Sequence, residues 1–174
     1  MASPRRPPGS SSGRSTGSSP TPDGSGETPP SWDLERFVVA QAGVHDQALA
    51  EVRSGRKTSH WMWFVYPQLR DLGRSEVSRF YGLASLDEAR AYLGHAVLGE
   101  RLRAAAAAAL AAPPQRSAED VFGGIDAMKL RSSMTLFARV APDEPVFRAV
   151  LRRYFDGLED GATLALLDAS GPGA

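Results

Sequence analysis

Apolar residues recur at three- and four-residue intervals through most of this chain, and glycine or proline interrupts each run. Leu34, Phe37, Val38, Val44, Ala48, Leu49 and Val52 form one such stripe. They predict a first helix capped by Asp33, running to about Arg53 and ended by Gly55. Residues 60–66 are apolar all round rather than striped, which fits either a short buried helix or rings lining a cavity. A short helix over 76–81 lies between Gly73 and Gly82. Ser85 and Glu88 have capping-box spacing and open a helix ending near Gly94. Leu98, Leu102, Ala105 and Ala109 carry the next helix through an alanine run to Pro113 and Pro114. Ser117 starts a brief helical turn closed by Gly123 and Gly124. Asp126 then caps a helix with Leu130, Met134 and Phe137 inward, and Pro145 opens another with Phe147, Val150 and Leu151 inward. A last short helix covers 163–167.

No stretch alternates apolar and polar residues convincingly over five positions. The aromatic run at 61–66 is the sole strand candidate, and one strand cannot make a sheet. The expected fold is therefore all-α: a compact multihelical single domain of about seven short helices over 32–168, with a flexible C-terminus at 169–174.

Composition separates the first 31 residues from the rest. They hold seven of the thirteen prolines, five glycines and nine serines, and almost no large apolar side chain. Such a segment cannot bury enough surface to offset its ordering entropy, so 1–31 is expected to be a disordered tail. The remaining 140 or so residues suffice for a core without disulfides. The chain has no cysteine, which excludes thiol catalysis and Cys-ligated zinc and fits a cytoplasmic setting. Three scattered histidines give no metal-ligand spacing, and no cofactor motif occurs. Net charge is zero, so no strong basic field attracts nucleic acid, and no apolar run approaches a membrane span.

The cations are unevenly written: eighteen are arginine and two are lysine, Lys57 and Lys129. Lysine is a compact point charge, whereas arginine is a flat fork, so two lysines held at patterned positions suggest a need for ammonium groups there. Lys57 precedes Thr58 and Ser59, either of which can cap a helix. Helix starts attract anions, and Lys57, Arg56 and the Ser59 hydroxyl would then surround a phosphate or carboxylate. The plain alternative is a solvated Arg56–Lys57 pair before an ordinary capped helix. His60 is a candidate acid–base or a core histidine. Trp61, Trp63, Phe64 and Tyr66 form either core or a stacking surface, and Tyr66 and Gln68 either position a ligand or tie down the turn at Pro67.

On a helix, Lys129 and Ser133 share a face, while Arg131 falls on the opposite flank. Lys129 and Ser133 are thus assigned to the possible site, and Arg131 to a carboxylate partner. The run from Gly123 to Lys129 is not a phosphate loop: Met128 stands where a glycine is required, and Leu130 follows the lysine. No nucleophile elbow occurs.

The strings Ser59-His60-Trp61-Met62-Trp63-Phe64 and Lys129-Leu130-Arg131-Ser132-Ser133-Met134-Thr135-Leu136-Phe137 are specific. With the segments 37–41 and 90–99, they resemble the bacterial family catalogued as domain of unknown function 1810, also called Rv1873-like. The resemblance covers about 33–167 and implies a multihelical fold. It brings no assigned activity or catalytic residue. Members are often labelled "calpastatin", yet calpastatins are extended protease inhibitors, whereas this chain is patterned for compact helices. The leading expectation is a cytosolic helical domain, enzyme or plain binder, that takes a small anionic ligand, phosphate-bearing or nucleotide-like. Lys57, Lys129, Ser133 and Ser59 would meet its charge, Trp61 or Trp63 would stack, and His60 would orient it or move a proton. The competing class is a protein-interaction module without chemistry, whose partner the sequence leaves unknown.

Overall fold

The computed structural model describes Gly9 and residues 30–171, and almost all of the tail expected at 1–31 lies outside the described residues. Among the described residues there are ten α-helices, one 3-10 turn and no β-strand, so the class is all-α. The helices are α1 (Glu35–Gln41), α2 (His45–Ser54), α3 (Met62–Val65), α4 (Glu76–Phe80), α5 (Leu86–Gly94), α6 (Leu98–Ala111), α7 (Ala118–Phe122), α8 (Gly124–Val140), α9 (Pro145–Phe155) and α10 (Gly161–Ala169); the 3-10 turn spans Arg70–Leu72. The expected count of about seven is thus too low.

One cause is the first predicted helix, which is two. Gly43 adopts φ +74°, a left-handed conformation that breaks the helical path, and α2 restarts at His45. Nor does Asp33 cap α1, whose N-cap is Leu34 with no side-chain hydrogen bond. Gly55, at φ +85°, ends α2 as predicted. Its missing side chain also admits Pro113, whose Cδ would stand 3.0 Å from a Cβ at that position. The capping box at Ser85 forms by half. Ser85 accepts the Glu88 N–H, but the Glu88 carboxylate reaches past it to the Ala84 N–H at 2.6 Å and pairs with Arg36 at 2.8 Å. Complete boxes close on Ser75–Ser78 and Ser117–Asp120.

The long helices α6 and α8 carry the assembly. α8 packs against α5, α7, α9 and α10, and α6 against α2, α3, α5 and α9. Between them lies a core in which Phe37, Trp61, Tyr66, Tyr92, Phe137 and Phe147 are fully buried with Leu102, Leu130 and Met134. Each large side chain so buried contributes on the order of 1.5–3 kcal/mol through apolar surface removed from water. The alanines of α6 let its neighbours approach closely: Ala105, Ala106, Ala108 and Ala109 are all buried. Outside the helices, Leu69 and Leu83 form one isolated parallel bridge. No described helix is long and apolar enough to cross a membrane.

Candidate functional site

The segment after α2 is not the start of a helix. Residues 56–61 run as an irregular loop, and α3 begins only at Met62, with Trp61 at its N-cap position and no side-chain cap. The expected cap at Thr58 or Ser59 is therefore absent. The amides of these residues nevertheless bind an anion, and it belongs to the protein. Glu51, on the last turn of α2, accepts hydrogen bonds from the Thr58 N–H at 2.8 Å, the Ser59 N–H at 3.2 Å, the Ser59 hydroxyl at 2.5 Å and the Trp61 indole N–H at 2.9 Å. Burial pushes the Glu51 pKa up, but bonds from Ser59, Thr58, Trp61 and Gln47 outweigh it and hold the carboxyl at about 2. The Ser59 hydroxyl and the Trp61 indole N–H are thus committed to an internal carboxylate, and the Trp61 ring is wholly buried.

This clamp orients Lys57. Its backbone N–H donates to the Val121 carbonyl at 2.7 Å, fastening the loop to the end of α7. Gly123, at φ +83°, turns the chain there and opens α8 two residues before the predicted cap. Asp126 consequently lies inside the first turn of α8 rather than at its cap. Its carboxylate receives the Lys57 ammonium at 2.9 Å on Oδ2 and the Lys129 ammonium at 3.6 Å on Oδ1. The Lys57 side chain is only 9% exposed, Lys129 19% and Asp126 20%. Each ammonium also lies over an indole: Lys57 is 5.1 Å from the Trp61 ring centre, and Lys129 is 4.9 Å from that of Trp63.

Lys57, His60, Trp63, Phe122, Asp126 and Lys129 line one hollow of about 480 Å³, together with Gly123, Gly124 and Ile125. His60, Gly123, Gly124 and Ile125 stand exposed at its mouth. Nothing lies within 4 Å of where a Cβ on either glycine would point, so the start of α8 is open. Two ammonium groups against one carboxylate leave a net positive charge, to which the α8 dipole adds.

Four of the sequence-selected residues therefore share the hollow: Lys57, His60, Trp63 and Lys129. The others do other work. Tyr66 is buried and donates its hydroxyl to the Ala105 carbonyl at 2.6 Å, and burial pushes its pKa far above the ordinary phenol value. Gln68 accepts the Leu83 N–H through its backbone carbonyl, beside the isolated bridge. Ser133 follows Lys129 by one turn, as the spacing required, but is fully buried, and its hydroxyl has no hydrogen-bond partner among the described residues. Arg131 faces away from the hollow, as expected, but holds the Leu158 and Glu159 carbonyls, each at 2.9 Å, rather than a carboxylate.

Sequence reasoning missed Glu51 and the bridging role of Asp126. Asp126 had one signal, its three-residue spacing to Lys129. Glu51 had none, because its partners lie in a loop that no periodicity describes.

A family model described as "Protein of unknown function (DUF1810)" matches residues 31–167. The chain belongs to this family. Both lysine segments and the whole hollow fall inside the DUF1810 match. Among solved structures, the chain is similar to the conserved hypothetical protein Rv1873 from Mycobacterium tuberculosis. Identity is 50%, the TM-score is 0.73, and the match covers 78% of this chain and 96% of that one. None of the curated proteins matches the chain.

Proposed function

We propose that this DUF1810 domain is a cytosolic binder of a small anion, phosphate-bearing or nucleotide-like, held in the hollow between the 57–63 loop and the start of α8. One observation carries the reading: two ammonium groups 72 positions apart in sequence meet at one carboxylate beside an indole ring. The hollow's volume lies in the range of small-molecule sites. Lys57 and Lys129 meet the ligand's charge, the open amides at the start of α8 add donors, and Trp63 covers a ring or sugar face. If the ligand is turned over, His60 at the mouth is the group placed to move a proton. The cytosolic assignment rests on the absence of cysteine.

A second reading is supported by Ile125 and Met128, which are 75% and 71% exposed on the first turns of α8. Two bare apolar side chains beside a charged hollow suit a protein partner as well as a ligand's apolar edge. The calpastatin label has no feature of the chain behind it.

Thermal shift of the full chain against phosphate, pyrophosphate, sugar phosphates and nucleotides tests the leading reading. A ligand at a hundredfold excess over its Kd adds about 2.7 kcal/mol to the folded state. The shift should vanish in Lys57→Ala and Lys129→Ala. A shift surviving both substitutions removes the proposed contacts, and an absence of any shift favours the interaction module.

A further inference from the structure

Asp126 is an awkward neighbour for an anion. Its carboxylate sits between the two ammonium groups that would hold the ligand, and repels any purely anionic guest. Its occupancy is also incomplete. Among the described residues, the groups on this carboxylate are the two ammonium ions, one at 2.9 Å and the other at a loose 3.6 Å. A carboxylate has about four acceptor positions, and Asp126 is partly exposed toward the hollow. The Glu51 carboxylate a few residues from Lys57 shows the contrast, with amide, hydroxyl and indole donors arrayed around it.

Building on the anion-binding reading above, we infer that Asp126 is a specificity-determining residue that accepts a hydrogen bond from a ligand hydroxyl. The guest would then be a phosphate carried on a polyhydroxylated sugar rather than a bare inorganic anion. The phosphate lies against Lys57, Lys129 and the open start of α8, while a hydroxyl of the same molecule donates to Asp126. A charge-assisted bond of this kind offsets the carboxylate's repulsion, which a fully deprotonated inorganic anion such as sulfate cannot do. A free sugar phosphate and a nucleotide share this chemistry. They differ in whether a base also stacks on Trp63, which lines the same hollow.

The test is calorimetric titration of the full chain with sulfate, which has no hydroxyl to donate, ribose 5-phosphate and adenosine monophosphate at fixed ionic strength. The unaltered protein should prefer ribose 5-phosphate to sulfate by roughly ten- to a hundredfold, the worth of a hydrogen bond to a charged group. In Asp126→Asn, sulfate should bind more tightly, because the repelling charge is gone. In Asp126→Ala, which also loses the acceptor, the preference should collapse to about threefold or less. If adenosine monophosphate binds more tightly than ribose 5-phosphate, and Trp63→Leu erases that gain, the guest is a nucleotide; otherwise it is a free sugar phosphate. Lysine-dependent binding with a ratio of ribose 5-phosphate to sulfate affinity unmoved in both Asp126 variants overturns this inference and leaves the anion site standing. Binding that survives Lys57→Ala and Lys129→Ala, or no binding of any probe, overturns both.

Discussion

At the end of α2, the Glu51 carboxylate is enclosed by two backbone amides, a hydroxyl, an indole N–H and the Gln47 side-chain amide, and only 9% of the residue is exposed. At the start of α8, the Asp126 carboxylate has two lysines for company and lies beside a hollow of about 480 Å³. Both corners gather donors from the 57–61 loop and an adjacent helix around one acidic group. The first is closed: its donors are used up by the chain itself, and no guest can enter without evicting Glu51. The second is open, with cations held in place yet under-occupied. A donor cluster in sequence therefore says that an anion is bound, but not whose anion it is. The Ser59 hydroxyl and the Thr58 amide carry the chemistry expected of a phosphate site, yet they serve to fix the loop that presents Lys57.

The contrast can be broken most forcefully at Glu51. Glu51→Ala strips an acceptor from five donors, one of them the buried indole of Trp61, and should cost about 3–5 kcal/mol in urea unfolding. A loss below about 1 kcal/mol would show that the closed corner is no structural clamp. Acid provides a second route to the same corner. The Glu51 carboxyl is held at about 2 in the folded state against 4.5 ordinarily. Its contribution is thus fully present above pH 4.5 and is lost as pH falls from there toward 2. The stability gap between the unaltered protein and Glu51→Gln should be flat at neutral pH and narrow across that window. A gap that widens on acidification would contradict the assignment.

Smaller effects sharpen the boundary of the open corner. Tyr66→Phe leaves the Ala105 carbonyl without its donor and should cost about 1–2 kcal/mol while leaving any ligand-induced shift intact. A selective loss of ligand response in that variant would return Tyr66 to the site. Ser133→Ala removes a buried hydroxyl with no partner among the described residues and should be neutral or stabilising by up to about 1 kcal/mol, again with ligand response unchanged. Clear destabilisation by urea unfolding would mean that this hydroxyl has a partner after all.

Much of the architecture was legible in the residue pattern, because helices are local. Three- and four-residue spacing placed α5, α6, α8 and α9 to within a few residues, the stops held at Gly55 and Pro113, and the start held at Pro145. The misreadings came where local rules compete. Gly43 is tolerable inside a helical stripe, yet here it takes φ +74° and breaks the path, after which α1 packs on α3 and α2 on α6. Asp126 reads as a helix cap until Gly123 starts the helix earlier.

By itself, the amino-acid sequence determined the helical class, the family and the two lysine-bearing segments, since each is written in short-range spacing or in contiguous strings of residues. Tertiary structure alone decided that Lys57 and Lys129 meet, that Asp126 stands between them, and that Glu51 rather than a guest fills the neighbouring cradle. Those outcomes depend on where α7 and α8 pack against a loop more than sixty residues upstream. Electrostatic partners chosen across such a distance leave no periodicity in the chain to read.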